Sequence, residues 1–493
     1  MQTFLTKTSV KKVVLLDYLL EKDDWSTIKE LQKKLKVTDK SILHYIEELT
    51  ELFQNYDGIH LLNDENKRFQ VKKEEDFPIY TIYLYFYKAS YNYQLIDFMY
   101  RQPEKSLKDF AEEQFTSIST VFRYAKLLTP YFRRYQIGFQ PYKLHLNAKE
   151  QEIRCFYYYF YWNSTRENRD SWPFDTELSR IEKYIKDFEN VYHLSLEPLQ
   201  QRIFSYWLAI ILERSNVASV TIDTHTQAVI DRDPHFLQLK KWQRESALRL
   251  AVNEVYFLYQ IIYSFGIIDG NARYENSYAI AHQEMLTCSY RAVENLAVAL
   301  KQNFHFELAV TDPELLFNFI AFHERSRLFY GNTDLFFNRS YRKEVQAEKP
   351  KNYSLVESLH DTLKQQADPD LASVLENWEQ LFLNYYFILD YYDLFLSKYP
   401  PLKVLIQDDL HHTHRLWLMN KINAYFGHSY TFAFYDYKTK VSEVDLVVSN
   451  YYFNTGETPL VLMKNIPTER NWRQFGELVY HLTNQKEFET KVV

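Results

Sequence analysis

Glycine is almost absent from this chain: 8 residues in 493, where average usage of ~7% would supply roughly 35. A chain so poor in glycine is badly equipped for the loops that cradle nucleotide phosphates. It is equally short of the tight turns that an all-β fold consumes. Helices are its natural outlet. The 42 tyrosines and 36 phenylalanines point to large aromatic cores between them. At ~100–200 residues per domain the length predicts three to five domains.

Cys155 and Cys288 are the two cysteines, too few for a disulfide framework or a Cys-rich zinc site. MQTFLTKTSVKK lacks the apolar stretch of a signal peptide, and no apolar run reaches the ~18–20 residues of a membrane span. The expectation is a reduced, cytoplasmic protein. The net charge of −7 is unevenly spread. Residues 100–150 carry nine basic and five acidic groups, residues 1–150 sum to +2, and the remainder to −9. A basic head on an acidic body suits a nucleic-acid-binding head with protein-facing rear domains.

Within that head one pattern occurs twice. SVKKVVLLDYLLEKD places Val13, Leu16 and Leu20 at helical spacing. Ser26 or Thr27 can cap the next helix, TIKELQKKLKV, whose apolar stripe is Ile28, Leu31 and Leu35. The turn Val37-Thr38-Asp39 leads into KSILHYIEELTELF, with Ile42, Ile46 and Leu49 on one face. IHLLNDENKRFQVKK then reads as a hairpin. This is the order of a winged helix-turn-helix, in which the helix after the turn enters the major groove. If the apolar face turns inward, Lys40, Ser41, Leu43 and His44 face outward, and Lys67 and Arg68 sit on the wing.

About 80 residues on, SLKDFAEEQF, the turn Thr116-Ser117 and SISTVFRYAKLL repeat the motif. Ile118, Val121, Ala125 and Leu128 are expected inward, with Ser119, Thr120, Phe122, Arg123 and Lys126 outward. YFRRYQIGFQPYKLHL is read as the wing, carrying Arg133, Arg134 and Lys143. Such cations would neutralise phosphates of double-stranded promoter DNA and make binding salt-dependent. Base readout would fall to a few side chains, among them Arg123 and His44. The competing reading of each motif is a helical domain with a solvated charged face.

These tandem motifs, followed by the Glu150-x-x-Ile153-Arg154 opening of an aromatic helix (RCFYYYFYW), resemble the Mga/AtxA group of Gram-positive transcriptional regulators. Residues 308–332, LAVTDPELLFNFIAFHERSRLFYGN, look like part of that group's second phosphotransferase-regulated domain. The resemblance implies a mainly α multidomain fold. Winged helix-turn-helix domains would occupy 1–75 and 76–165, five-helix regulatory bundles 170–287 and 288–397, and a small α/β domain similar to enzyme IIB 401–493. It implies a DNA-binding regulator, usually an activator and often of virulence genes, that assembles as a homodimer or higher oligomer. Phosphotransferase proteins such as HPr would be partners. No cofactor is implied.

Regulatory domains of this kind can carry phosphorylatable histidines in a His-Leu-x5-Arg stretch. In the first bundle the matching stretch runs from Trp207 to Arg214, with tryptophan at the histidine position; His193 and His225 lie nearby without matching. In the second the candidate is His323, with Glu324 in place of leucine, Tyr330 in place of arginine, and Arg325 and Arg327 closer by. A phosphohistidine needs an exposed ring nitrogen and nearby cations.

From Pro401 short apolar strands alternate with helices, predicting a mainly parallel sheet. The loop after the first strand, where an enzyme IIB carries its phosphocysteine, is Gln407-Asp408-Asp409-Leu410-His411-His412 and has no cysteine. A phosphocysteine relay is not expected, and the domain is read as an interaction or dimerisation module. His411, His412 and His414 could bind a metal, though a polar loop is the plainer reading and no metal site is assigned. No P-loop, nucleophile elbow or H-E-x-x-H motif occurs, so an enzyme is not expected. A protein-interaction scaffold, or a DNA-architectural regulator without phosphorylation, is the alternative.

Overall fold

The computed structural model describes residues 4–22, 24–166, 171–269, 272–330, 341–410 and 412–489. Most of them are helical. The first winged domain holds α1 (Lys7–Glu21), β1 (Ser26–Thr27), α2 (Ile28–Leu35), α3 (Asp39–Phe53), β2 (Ile59–Asn63) and β3 (Arg68–Lys73). Thr27 starts α2 through a capping box with Glu30, and Thr38 caps α3 by accepting from the Ser41 amide. Lys36 makes the turn between them at φ 53°. β3 pairs antiparallel with β2 and with β1, a short third strand that the sequence pattern did not disclose.

α4 (Tyr80–Lys88) and α5 (Tyr91–Arg101) lead to the second winged domain: α6 (Leu107–Glu113), α7 (Ile118–Arg133), β4 (Gly138–Gln140) and β5 (His145–Asn147). The two domains match in fine detail. Thr27 and Ser106 cap the first helix of each motif, and Thr38 and Ser117 the second. Lys36 and Phe115 are the left-handed turn residues. Each pair is separated by the same interval (106 minus 27, 117 minus 38 and 115 minus 36 are all 79). The domains touch directly. Phe4 packs edge-on against Tyr131 of α7 at 5.0 Å, and the Tyr83 hydroxyl of α4 donates to Asp17 of α1 at 2.5 Å.

α8 (Glu150–Thr165) follows, buried on nearly every side. Its ring-rich sequence leaves no polar face, so other helices must cover it. Next come α9 (Leu178–Tyr192), α10 (Pro198–Arg214), α11 (Thr224–Arg232), α12 (Phe236–Glu245), α13 (Val252–Ser264), α14 (Ala272–Glu284), α15 (Cys288–Phe304) and α16 (Pro313–Leu328). α16 packs on α13 and α14. Further on are α17 (Tyr341–Glu348), α18 (Pro350–Gln366), α19 (Pro369–Leu375) and α20 (Trp378–Tyr391). The chain divides into two compact units: Met1–Val293 with Val310–Ser340 and Pro369–Gln380, and Glu294–Ala309 with Tyr341–Asp368 and Leu381–Val493. α16 and α19 group with the first unit.

The C-terminal domain contains β6 (Leu402–Gln407), α21 (His412–Phe426), β7 (Phe432–Tyr435), β8 (Leu446–Ser449), β9 (Leu460–Leu462) and α22 (Glu469–Glu489). Its sheet runs β7-β6-β8-β9, parallel throughout. This is the expected parallel α/β domain. Val404, Ile406, Leu446 and Val448 form its core with Leu418, Ile422, Phe475 and Val479 of the two helices. No helix among the described residues is long and apolar enough to cross a membrane.

Candidate nucleic-acid interface

Each motif buries one face of its second helix and exposes the other. In α3, Ile42, Tyr45, Ile46 and Leu49 are buried, while Lys40, Leu43 and His44 are exposed and Ser41 is half-buried. In α7, Val121, Ala125 and Leu128 are buried, and Ser119, Phe122, Arg123 and Lys126 are exposed with Thr120 half-buried. Ile118, expected inward, is 41% exposed. It stands one residue after the Ser117 cap, ahead of the first turn that meets the core.

The two faces differ in electrostatics. His44 lies 4.0 Å from Glu47 and 3.6 Å from Glu48, so the first face mixes cation and carboxylate. On the wing, Arg68 is tied to Asp64 by a 2.7 Å bond from its Nε and leans over the Trp25 ring. Asp64 also accepts from the Arg68 and Asn66 amides, which holds the hairpin turn and draws its carboxyl below the ordinary range. Arg68 thus builds the wing, and Lys67, exposed in the turn at φ 54°, presents its charge. Among the described residues, no ion pair involves Arg123, Lys126 or Arg133 on the second face.

Arg133 and Arg134 are not on the second wing. α7 continues through Pro130 to Arg133, with Arg134 as its C-cap, so both extend the charged helix. Proline has no amide hydrogen to donate and reads as a helix breaker. Here residue 130 is exposed, and burial of Tyr131 and Phe132 immediately after it holds the helix on. Lys143 does sit on the wing, exposed in the β4–β5 turn.

Behind the heads lies a buried charge network. Arg154 of α8 is fully buried. It donates to Glu150 at 2.9 Å, to Glu254 of α13 at 2.9 Å and to the Ala218 carbonyl at 3.0 Å. Arg214 of α10 donates to both oxygens of Glu150, at 2.6 and 2.8 Å. Two cations meet two carboxylates, so the charges balance in a dry interior. This explains the Glu150-x-x-Ile153-Arg154 opening: it staples α8 to two bundle helices. Trp207, at the histidine position of the first stretch, stacks on Tyr158 with centroids 4.6 Å apart. That stretch is structural in this chain.

His323 does not have the exposed nitrogen that phosphorylation requires. Its ring is 0% exposed, its Nδ1 donates to the Phe319 carbonyl at 2.7 Å, and burial pushes its pKa down to about 4. The flanking cations are committed elsewhere. Arg325 donates to Tyr159 at 3.0 Å and covers the Phe265 ring at 4.2 Å, while Arg327 pairs with Glu324 at 2.8 Å. Sequence adjacency does not bring them to the imidazole, because consecutive helix positions face different ways. Glu324 also lines a cavity of about 130 Å³ with Arg327, His282, Thr287, Gln260 and Ser264. Nothing in the sequence pattern pointed to that cavity.

In the C-terminal domain, His414 engages the Asp408 carboxylate through Nδ1 at 2.9 Å and the Asn465 carbonyl through Nε2 at 2.7 Å. Both partners accept, so both ring nitrogens are engaged as donors in this arrangement. His412 faces Arg415 at 2.8 Å, and His411 lies outside the described residues. Among the described residues no cluster of His, Cys, Asp and Glu has metal-site geometry.

Two winged helix-turn-helix domains in tandem, each exposing a polar and cationic helix face, define a DNA-binding transcriptional regulator. Residues 6–65 match the M protein trans-acting positive regulator (MGA) HTH domain, and residues 75–161 the Mga helix-turn-helix domain. The chain is 20% identical to the capsule synthesis positive regulator AcpB of Bacillus anthracis, over 95% of this chain and 98% of that one. It is 18% identical to the anthrax toxin expression trans-acting positive regulator of the same organism, over 96% and 99%. A putative trans-acting regulator of Streptococcus pneumoniae serotype 4 is 20% identical over 36% of this chain and 34% of its own. The chain thus carries two Mga-type helix-turn-helix domains and is similar along nearly its whole length to trans-acting positive regulators.

Proposed function

We propose that the protein activates transcription in the cytoplasm by engaging promoter DNA with both heads at once. The observation that carries this is the repeated motif. The same capped helix, left-handed turn and exposed second-helix face occur twice at one interval. The second face carries Arg123, Lys126 and Arg133, with Lys143 on its wing. The names of the relatives, positive regulators of capsule and toxin expression, favour activation over repression.

Fluorescence anisotropy with promoter duplexes at several salt concentrations tests the DNA reading. Wild type should bind tightly at low salt and lose affinity steeply as salt rises. Arg123→Ala/Lys126→Ala should lose more affinity than Lys40→Ala/His44→Ala. No salt-sensitive binding to any duplex would leave the scaffold reading instead. A promoter–reporter fusion then separates activator from repressor.

Self-association through the C-terminal domain is part of this proposal. It is supported by the exposed apolar side chains of Leu416, Tyr437, Tyr452 and Ile466. Light scattering of the full chain and of a Tyr452→Ser/Ile466→Ser variant tests it. Control by phosphotransferase proteins such as HPr at His323 would require α16 to open first. Heat- and acid-labile phosphate on the chain after incubation with phosphorylated HPr, lost in His323→Ala, would be its signature.

A further inference from the structure

The exposed apolar residues on the two recognition helices are unaccounted for by phosphate binding. Leu43 on α3 and Phe122 on α7 are each 38% exposed and stand at equivalent places, five residues after the caps Thr38 and Ser117. Each precedes an exposed polar side chain, His44 in one helix and Arg123 in the other. In the second head the apolar surface widens. Ile118, one turn before Phe122, is 41% exposed, and Phe115 in the preceding turn is 99% exposed. Phe115 also holds φ 48°, a conformation unusual for a bulky residue. Beside this row runs a polar one, Ser119, Arg123 and Lys126, on the same exposed side of the helix.

We propose that Phe122, and Leu43 at the matching place in the first head, contact the 5-methyl groups of thymine in the major groove. The proposal rests on the DNA-binding reading and adds what is read. Thymine's methyl is the apolar group on the major-groove edge, and phenylalanine is among the side chains that meet it. The cations in the adjacent row hold this apolar face against a polyanion, where a protein partner of ordinary charge would gain nothing from them. The repetition of an exposed apolar residue at one register in both helices marks a shared task.

The test uses the full-length protein and duplexes it enriches from a random-sequence pool. Each thymidine of an enriched duplex is replaced in turn by deoxyuridine, which removes the methyl and keeps the Watson–Crick pairing. At one or two positions wild type should lose affinity roughly fourfold, the worth of one buried methyl group. Phe122→Ala should lose affinity for the thymine duplex yet show no further loss on the deoxyuridine duplex at the position Phe122 reads. Equal wild-type affinity for thymine and uracil at every position overturns the proposal while leaving DNA binding intact. Unchanged thymine discrimination in Phe122→Ala overturns the assignment to Phe122. A Phe122→Ala variant that keeps its DNA affinity but changes sedimentation makes the patch a protein interface, and also overturns it. Failure to enrich any duplex is a different result and counts against the DNA-binding reading itself.

Discussion

Arg214 grips Glu150 with two hydrogen bonds, 2.6 and 2.8 Å long, in a region closed to solvent. Glu150 is shared with Arg154, which in turn holds Glu254. Removing Arg214 leaves two buried carboxylates facing one guanidinium. Arg214→Met is expected to destabilise the surrounding helices by about 3–5 kcal/mol, the cost of breaking a buried pair. The double variant Arg214→Met/Glu150→Gln should recover much of that loss. Denaturant unfolding of the three proteins checks both.

Lys126 and Arg123 should behave differently on DNA. Lys126→Ala is expected to weaken all duplexes alike and to lower the log–log salt slope by about 1. Arg123→Ala should relax sequence preference at one base pair, losing about 1–3 kcal/mol on the preferred site and less on others. Arg68→Ala should change the salt slope little, because Asp64 already holds its charge. Anisotropy titrations across salt distinguish the three.

Acid should loosen the helical region through its buried histidines. His282 and His323 both have pKa values depressed to about 4 by burial, against an ordinary value near 6.5. Between those values the unfolded chain binds a proton that the folded chain refuses. Stability is therefore full above about pH 6.5 and falls as pH drops towards 4. Each ring should cost about 2 kcal/mol at pH 5. Thermal melts between pH 7.5 and 5 should show the fall, and His323→Phe should make it shallower.

His414 has the opposite sign. The Asp408 carboxylate and the Asn465 carbonyl both favour the charged ring, and its pKa is raised even though burial works against that. Its contribution is present below the ordinary histidine value and fades as pH rises through the raised one. NMR titration should place this ring above the usual range, and Asp408→Asn should bring it down.

The heads were the most legible part of the chain, because their signals are local. Ser26 or Thr27 was readable as a cap, Thr38 and Ser117 fell in the turns read between helices, and the buried stripe of Ile42, Ile46 and Leu49 follows at helical spacing. The parallel C-terminal sheet was legible for a similar reason, since buried strands read as unbroken apolar runs. The second wing reads from Tyr131 onward, too early, because α7 continues through Pro130 to Arg133 and only packing holds it there. His323 and the arginines beside it misled for another reason. Their sequence gives proximity along the chain, but only the packing of α16 on α13 and α14 decides which of them meet. The buried pairing of Glu150 with Arg214 spans 64 residues, and no local pattern reports a contact of that range.

The contact of Phe4 with Tyr131 and the bond from Tyr83 to Asp17 join the two heads through packed side chains. Two reading surfaces held this way cannot slide apart to suit the DNA. The chain is consequently a ruler as well as a reader. Engaging DNA with both heads at once, as proposed, it would accept two recognition elements at one separation and one helical phase. Half a turn of extra duplex between them would turn one element to the far side of the helix, whereas a sequence change within either element would spoil only that contact.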